Sequence, residues 1–142
     1  MSNNTANRIQ EWLNSIPQLV KEMQSLFSDQ KFSESLEVAE KILSFDPEDF
    51  NAMSYQATCL TKVGRYDEAI TIFNKCLSIN NDAFYLWSTR GDCFYELGDY
   101  NRAFSDYWMA IQIEPAGAVL DKCARSLFRI GNHKYAIDTI SK

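Results

Sequence analysis

The sequence predicts an all-α fold of stacked helical hairpins, and three observations predict it. A motif recurs at a near-constant period, apolar residues at helical spacing flank each copy, and small residues stand where paired helices must cross. Gly64-Arg65-Tyr66-Asp67-Glu68-Ala69-Ile70 returns as Gly98-Asp99-Tyr100-Asn101-Arg102-Ala103-Phe104. It returns again as Gly131-Asn132-His133-Lys134-Tyr135-Ala136-Ile137, and a weaker copy precedes them at Gln30-Lys31-Phe32-Ser33-Glu34-Ser35-Leu36. A fixed period of roughly 20 to 50 residues marks a repeat architecture. A turn residue between two stretches with apolar positions three and four apart makes the unit helix, tight turn, helix.

The elements follow in order. Ile9, Trp12, Leu13 and Ile16 form an apolar stripe that predicts a short N-terminal helix in residues 1–15, and Pro17, which lacks an amide proton, is expected to start the next helix. The first unit covers residues 16–49, the second 50–83, the third 84–116, and a partial fourth 117–142, all within one domain. The third shows the plan best. Leu86, Trp87, Phe94 and Leu97 mark an apolar face before Gly98, Ala103, Phe104, Tyr107, Ala110 and Ile111 mark another after it, and Pro115 ends the second helix. Antiparallel helices approach to about 8 Å only where the crossing residues are small. Gly91, Ala103 and Ala110 are expected there, with Ala57 and Ala69 in the second unit and Ala124 and Ala136 in the last. The fourth unit is expected to turn at Gly131 and to leave Ile137 and Ile140 uncovered, either as a frayed end or as a surface through which the chain forms a homodimer.

These residues resemble the tetratricopeptide repeat, a family of helical hairpins about 34 residues long. Trp87, Gly91, Phe94, Gly98, Tyr100, Ala103, Tyr107, Ala110 and Pro115 match its pattern, as do Ala57, Leu60, Gly64, Tyr66, Ala69 and Phe73, with Asn81 in place of the proline. In the first unit Leu19, Leu26, Phe32, Ser35 and Pro47 fit while Met23, Ala39 and Ile42 depart from it; the fourth keeps Leu120, Ala124, Leu127, Gly131 and Ala136. The resemblance implies a right-handed superhelical α-solenoid whose concave side is lined by the first helix of each unit. It also implies a non-catalytic scaffold or adaptor that binds a protein or peptide segment there.

On that geometry the partner-binding candidates are Gln24, with Phe27 beside it; Ser54, Tyr55, Thr58 and Lys62; Tyr85, Thr89, Asp92 and Tyr95, with Ser88 among them; and Lys122, Arg125 and Arg129. Tyrosines suit an interface because they offer a rigid area with a polar tip, and Tyr55 and Tyr95 are the preferred contacts. Lys122, Arg125 and Arg129 recur at three and four, so they form a basic stripe suited to an acidic partner segment. Some family members grip a terminal carboxylate with Lys, Asn and Arg on successive first helices. Val20, Gln24, Tyr55, Tyr85 and Thr89 stand at those places here, so chaperone-tail binding is not expected.

Composition excludes other classes. A net charge of -5 and a pI near 4.8 oppose nucleic acid, a partner held through its phosphates, so none is expected. Cys59, Cys76, Cys93 and Cys123 lie far apart, and His133 has no neighbour at zinc-site spacing, so no metal and no cofactor are expected. No nucleophile–base pair or glycine-rich phosphate loop is present, which argues against an enzyme. The N-terminus carries no secretory signal and no stretch reaches bilayer length, which predicts a cytoplasmic protein without membrane insertion. Two further readings remain beside the scaffold: a small acidic secretion chaperone of the type III translocator kind, and a regulatory or assembly factor that self-associates through its C-terminal helix.

Overall fold

The computed structural model describes residues 2–141, and side chains for 4–132. Among these residues it is all-α: α1 (Ser2–Ser28), α2 (Phe32–Phe45), α3 (Phe50–Lys62), α4 (Tyr66–Ile79), α5 (Phe84–Glu96), α6 (Tyr100–Ile113) and α7 (Gly117–Ser141). The starts of α2, α4 and α6 are evenly spaced at Phe32, Tyr66 and Tyr100, and α3 and α5 start the same step apart at Phe50 and Phe84, so the sequence period is the structural one. The chain divides into two compact units, Met1–Gly64 and Arg65–Lys142, with the division between α3 and α4.

In the first unit α1 packs on α2 and α2 on α3, around Met23, Ala39, Ile42 and Ala52. Met23, Ala39 and Ile42 depart from the repeat pattern, yet all three are fully buried: the core needs apolar volume at those sites more than it needs particular side chains. Ser35, also fully buried, donates to the Met23 carbonyl at 2.9 Å, which satisfies its hydroxyl inside the core. Pro17 is a correction to the sequence reading. It starts no helix but sits within a continuous 27-residue α1. Leu13 is exposed, so water can take the carbonyl that loses its partner to the proline ring. Ile9 and Leu13 face outward, while Trp12 packs on Phe45 of α2.

In the second unit α5 and α6 form a hairpin, with α4 against α5 and α7 against α6; Ala103, Tyr107, Ala110, Val119 and Cys123 make its core. Gly91, Ala103 and Ala110 are all buried at the crossing, as the sequence predicts. A Cβ at Gly91 would stand 2.9 Å from the Tyr107 ring, so only glycine lets that ring lie against α5.

Helix ends follow from local chemistry. After α5, Gly98 takes φ +82°, its N–H bonds the Tyr95 carbonyl and the Asp99 N–H bonds that of Phe94, a Schellman closure. The Asp99 side chain then accepts from the Arg102 N–H to cap α6. After α1 the same closure is made by Gln30 at φ 61°, its N–H on Phe27 and that of Lys31 on Leu26. A non-glycine residue there is held against a cost of about 1–2 kcal/mol.

The fourth unit departs from expectation. Gly131 makes no turn; α7 continues through it to Ser141. Ala124 is exposed instead of lying at a crossing, and Leu120 and Leu127 face outward with it, while Val119, Cys123 and Ser126 are buried. The expectation for Ala136, Ile137 and Ile140 falls outside the described side chains.

Candidate functional site

In each unit the first helices carry the predicted contact residues, and packing sorts them. In the first unit Gln24 is exposed. Lys62 lies over the Phe32 ring at 5.8 Å, a position that shields the stem of the side chain and leaves its charge in water. Tyr55 packs edge-on to Phe27 at 5.2 Å and against the Met23 cluster, so part of its area serves the core. Ser54 is a correction. It is 7% exposed, because it lies on the packed side of α3 between Met53 and Ala57, and it offers a partner no free surface. Thr58 donates to the Ser54 carbonyl at 2.8 Å.

The second unit gathers more. Tyr85, Thr89, Asp92 and Tyr95 follow one another along α5 at helical spacing, and α7 brings Lys122 and Arg129 to them. The Lys122 ammonium is 3.1 Å from the Asp92 carboxylate, which also accepts from the Tyr107 hydroxyl at 2.6 Å. Asp92 thereby ties α5, α6 and α7 together. Burial and the adjacent Asp92 carboxylate hold the Tyr107 hydroxyl well above its ordinary range, so it stays a donor. Arg129 donates to the Tyr95 hydroxyl at 3.3 Å and lies over the Tyr100 ring, which packs edge-on to Tyr95.

The basic stripe thus divides. Lys122 is neutralised by Asp92, and Arg125 pairs with Asp121 on its own helix at 2.9 Å. Arg129 is held by a neutral phenol and keeps its charge unopposed by a carboxylate in these contacts. Tyr85 is 43% exposed; Thr89, half-buried, donates to its carbonyl. Ser88 is buried and belongs to the packed side of α5.

Sequence reasoning missed Arg90. Its guanidinium forms two bonds to the Asp106 carboxylate of α6, at 2.7 and 2.9 Å, and one to Asn74 of α4 at 2.8 Å. It also lies over the Trp87 and Phe94 rings. Asp106 is 3% exposed; burial pushes its carboxyl up and the Arg90 bonds pull it down, burial prevailing. The only clue in the sequence is a cation among the apolar positions of α5.

All four cysteines are buried thiols; burial raises those of Cys59 and Cys123, and that of Cys76 to about 11, which suppresses the reactive thiolate. Among the described residues no group of His, Cys, Asp and Glu could hold a metal ion, and no helix is long and apolar enough to cross a membrane.

Repeated helix pairs with glycine-closed turns and small crossing residues define a tetratricopeptide-repeat protein. The family described as anaphase-promoting complex, cyclosome, subunit 3 matches residues 28–105, more than half of the chain, and the chain belongs to it. No curated protein matches in sequence. Among solved structures, the first tetratricopeptide domain of human RPAP3 is 17% identical, covering 82% of this chain and 93% of its own, with a TM-score of 0.74. The first such domain of Spaghetti (RPAP3), bound to the HSP90 peptide SRMEEVD, is 18% identical over 80% and 90%, with a TM-score of 0.74. MamA from Desulfovibrio magneticus RS-1 is 15% identical over 87% and 70%, with a TM-score of 0.76. At these identities the likeness is one of fold.

Proposed function

We propose that the protein is a non-catalytic interaction module, a scaffold or adaptor, that holds an extended segment of a partner protein along α5 and α7. The observation that carries this reading is the strip formed by Tyr85, Asp92 with Lys122, and Tyr95 with Arg129. These are aromatic and polar groups, partly open to solvent and several already held by one another, so binding orders little that is not ordered beforehand. The similar domain of Spaghetti binds a peptide, which supports the class of ligand. It does not carry over the ligand itself, because Val20, Gln24, Tyr55, Tyr85 and Thr89 bring no charge to the places of a carboxylate clamp.

The segment recognised is one that packs an apolar or aromatic residue on Tyr85 and sets a carboxylate on Arg129. Gln24 and Lys62 offer a lesser surface in the first unit. Selection from a library of displayed peptides tests the reading. Selected peptides should be rich in an acidic residue near an apolar one, and Tyr85→Ala and Arg129→Ala should each weaken them about tenfold while leaving the melting temperature unchanged. Enrichment of no peptide, or peptides indifferent to both substitutions, would remove the strip from consideration.

A further inference from the structure

The register of α7 against α5 is set by geometry as well as by sequence: the Leu86 N–H bonds the Ala83 carbonyl, and the Val119 N–H bonds that of Ala116. On this register Leu120, Cys123, Ala124 and Leu127 correspond to Trp87, Arg90, Gly91 and Phe94. On α5 this face is covered by α6, with Tyr107 against Gly91 and with Trp87 and Phe94 packed on the core. On α7 it is bare, Leu120 being 47% and Leu127 52% exposed. Round α7, at about 100° per residue, come Lys122 toward α5, Val119 and Cys123 toward α6, and then Leu127, Leu120 and Ala124. Round α6 in the same sense come Asp106 and Tyr107 toward α5, Ile111 and Phe104 toward α7, and then Trp108, 52% exposed and stacked on Phe104. The short link at Pro115 makes the two helices antiparallel, so both open sides turn the same way, and Trp108, Leu120 and Leu127 line one valley.

We propose that this valley takes an amphipathic helix of a partner protein, laid antiparallel to α7 as α6 lies on α5. Such a helix continues the packing of the stack, in which the groove between two helices is filled by the ridge of a third. The differences between the filled site and the open one say what that helix carries. In the filled site Arg90 bonds Asp106 of the covering helix and Asn74 of α4, whereas in the open one Cys123 and Trp108 stand in the places of Arg90 and Asn74. A carboxylate where α6 has Asp106 would be buried without a cation, so the partner helix is apolar there. Ala124 takes the place of Gly91, where a Cβ comes within 2.9 Å of the Tyr107 ring, so the partner sets an aliphatic residue where α6 has the aromatic one. Small residues at the places of Ala103 and Ala110 complete the crossing. A second copy is a poorer fit: its own exposed stripe on α1, Ile9, Trp12 and Leu13, has no small residue for the crossing, and Trp12 already lies on Phe45. The valley is on the side of α7 away from Lys122 and Arg129, so it is independent of the peptide strip.

A synthetic peptide copying α6, residues 98–114 with Asp106→Leu and Tyr107→Leu, tests it when labelled and titrated against the full chain by fluorescence anisotropy. It should bind saturably, and the same peptide with Asp106 and Tyr107 restored should bind about tenfold more weakly or worse. In the chain, Leu127→Asp and Trp108→Ser should each weaken the altered peptide about tenfold or more, with helical content kept because both side chains are exposed. Arg129→Ala should leave its binding unchanged. No binding overturns the proposal, and is the outcome if residues 132–141 fold back over the valley. Equal binding of the two peptides overturns it, as does indifference to Leu127→Asp. A loss on Arg129→Ala instead puts the peptide on the strip and overturns it too. So does a chain that sediments as a dimer without peptide and as a monomer with Leu127→Asp, for then a second copy fills the valley.

Discussion

Gly98 and Gly131 open copies of one motif, and the chain treats them in opposite ways. At Gly98 the backbone enters the left-handed region, α5 ends, and α6 returns to lay Tyr107 against Gly91. At Gly131 the helix continues, and the residues corresponding to the covered face of α5 stay in solvent. A glycine at a helix end therefore permits a reversal without compelling one. What compels it at Gly98 is the return on burial: α6 brings Ala103, Tyr107 and Ala110 into a core, and Asp106 to Arg90. Beyond Gly131 the corresponding positions are Ala136, Ile137 and Ile140, and α7 carries them onward instead of back.

The largest break in the comparison comes from Arg90. Arg90→Met leaves the Asp106 carboxylate buried without its partner and should cost about 3–5 kcal/mol in denaturant unfolding, most of it recovered by adding Asp106→Leu. Next comes the matched pair Ala103→Leu and Ala124→Leu. The first overpacks the α5–α6 crossing and should cost about 1–3 kcal/mol. The second falls on the open face of α7 and should change the stability of the second unit by less than about 0.5 kcal/mol; an equal loss at both sites would mean that α7 is covered in the isolated chain.

The glycines give the sharpest test. Gly98→Ala places a Cβ in a left-handed conformation and should destabilise by about 1–2 kcal/mol, whereas Gly131→Ala replaces a helical glycine and should stabilise by about 0.5–1 kcal/mol. Opposite signs in thermal melts confirm that the two motifs are in different states; a loss at Gly131 shows a turn there. A further contrast is expected at Gln30, whose φ of 61° already makes the turn with the wrong residue. Gln30→Gly should stabilise the first unit by up to about 1 kcal/mol, with no change at the second.

Much of the candidate site was legible in advance. Tyr85, Thr89, Asp92, Tyr95, Lys122 and Arg129 were all recognisable as residues off the apolar stripe of a first helix. Their pairing was not, because Asp92 and Lys122 are 30 residues apart, and which cation meets which carboxylate depends on how the two helices are rotated. Ser54 and Ser88 look like surface polar residues by type, yet neighbouring helices close over them. Arg90 was invisible as a clamp for the same reason, its partners lying 16 residues away on either side.

Local sequence suffices for the helical period, the hairpin unit, the turns at Gly64 and Gly98 and the small residues of the α5–α6 crossing, since each of these is a matter of backbone preference or of side-chain volume repeated once per hairpin. Long-range packing is what carries α1 on through Pro17 and α7 on through Gly131, and what seats Arg90 and Asp106 together in the interior. Those outcomes turn on what a helix finds to pack against, and that free energy comes from residues distant in the chain.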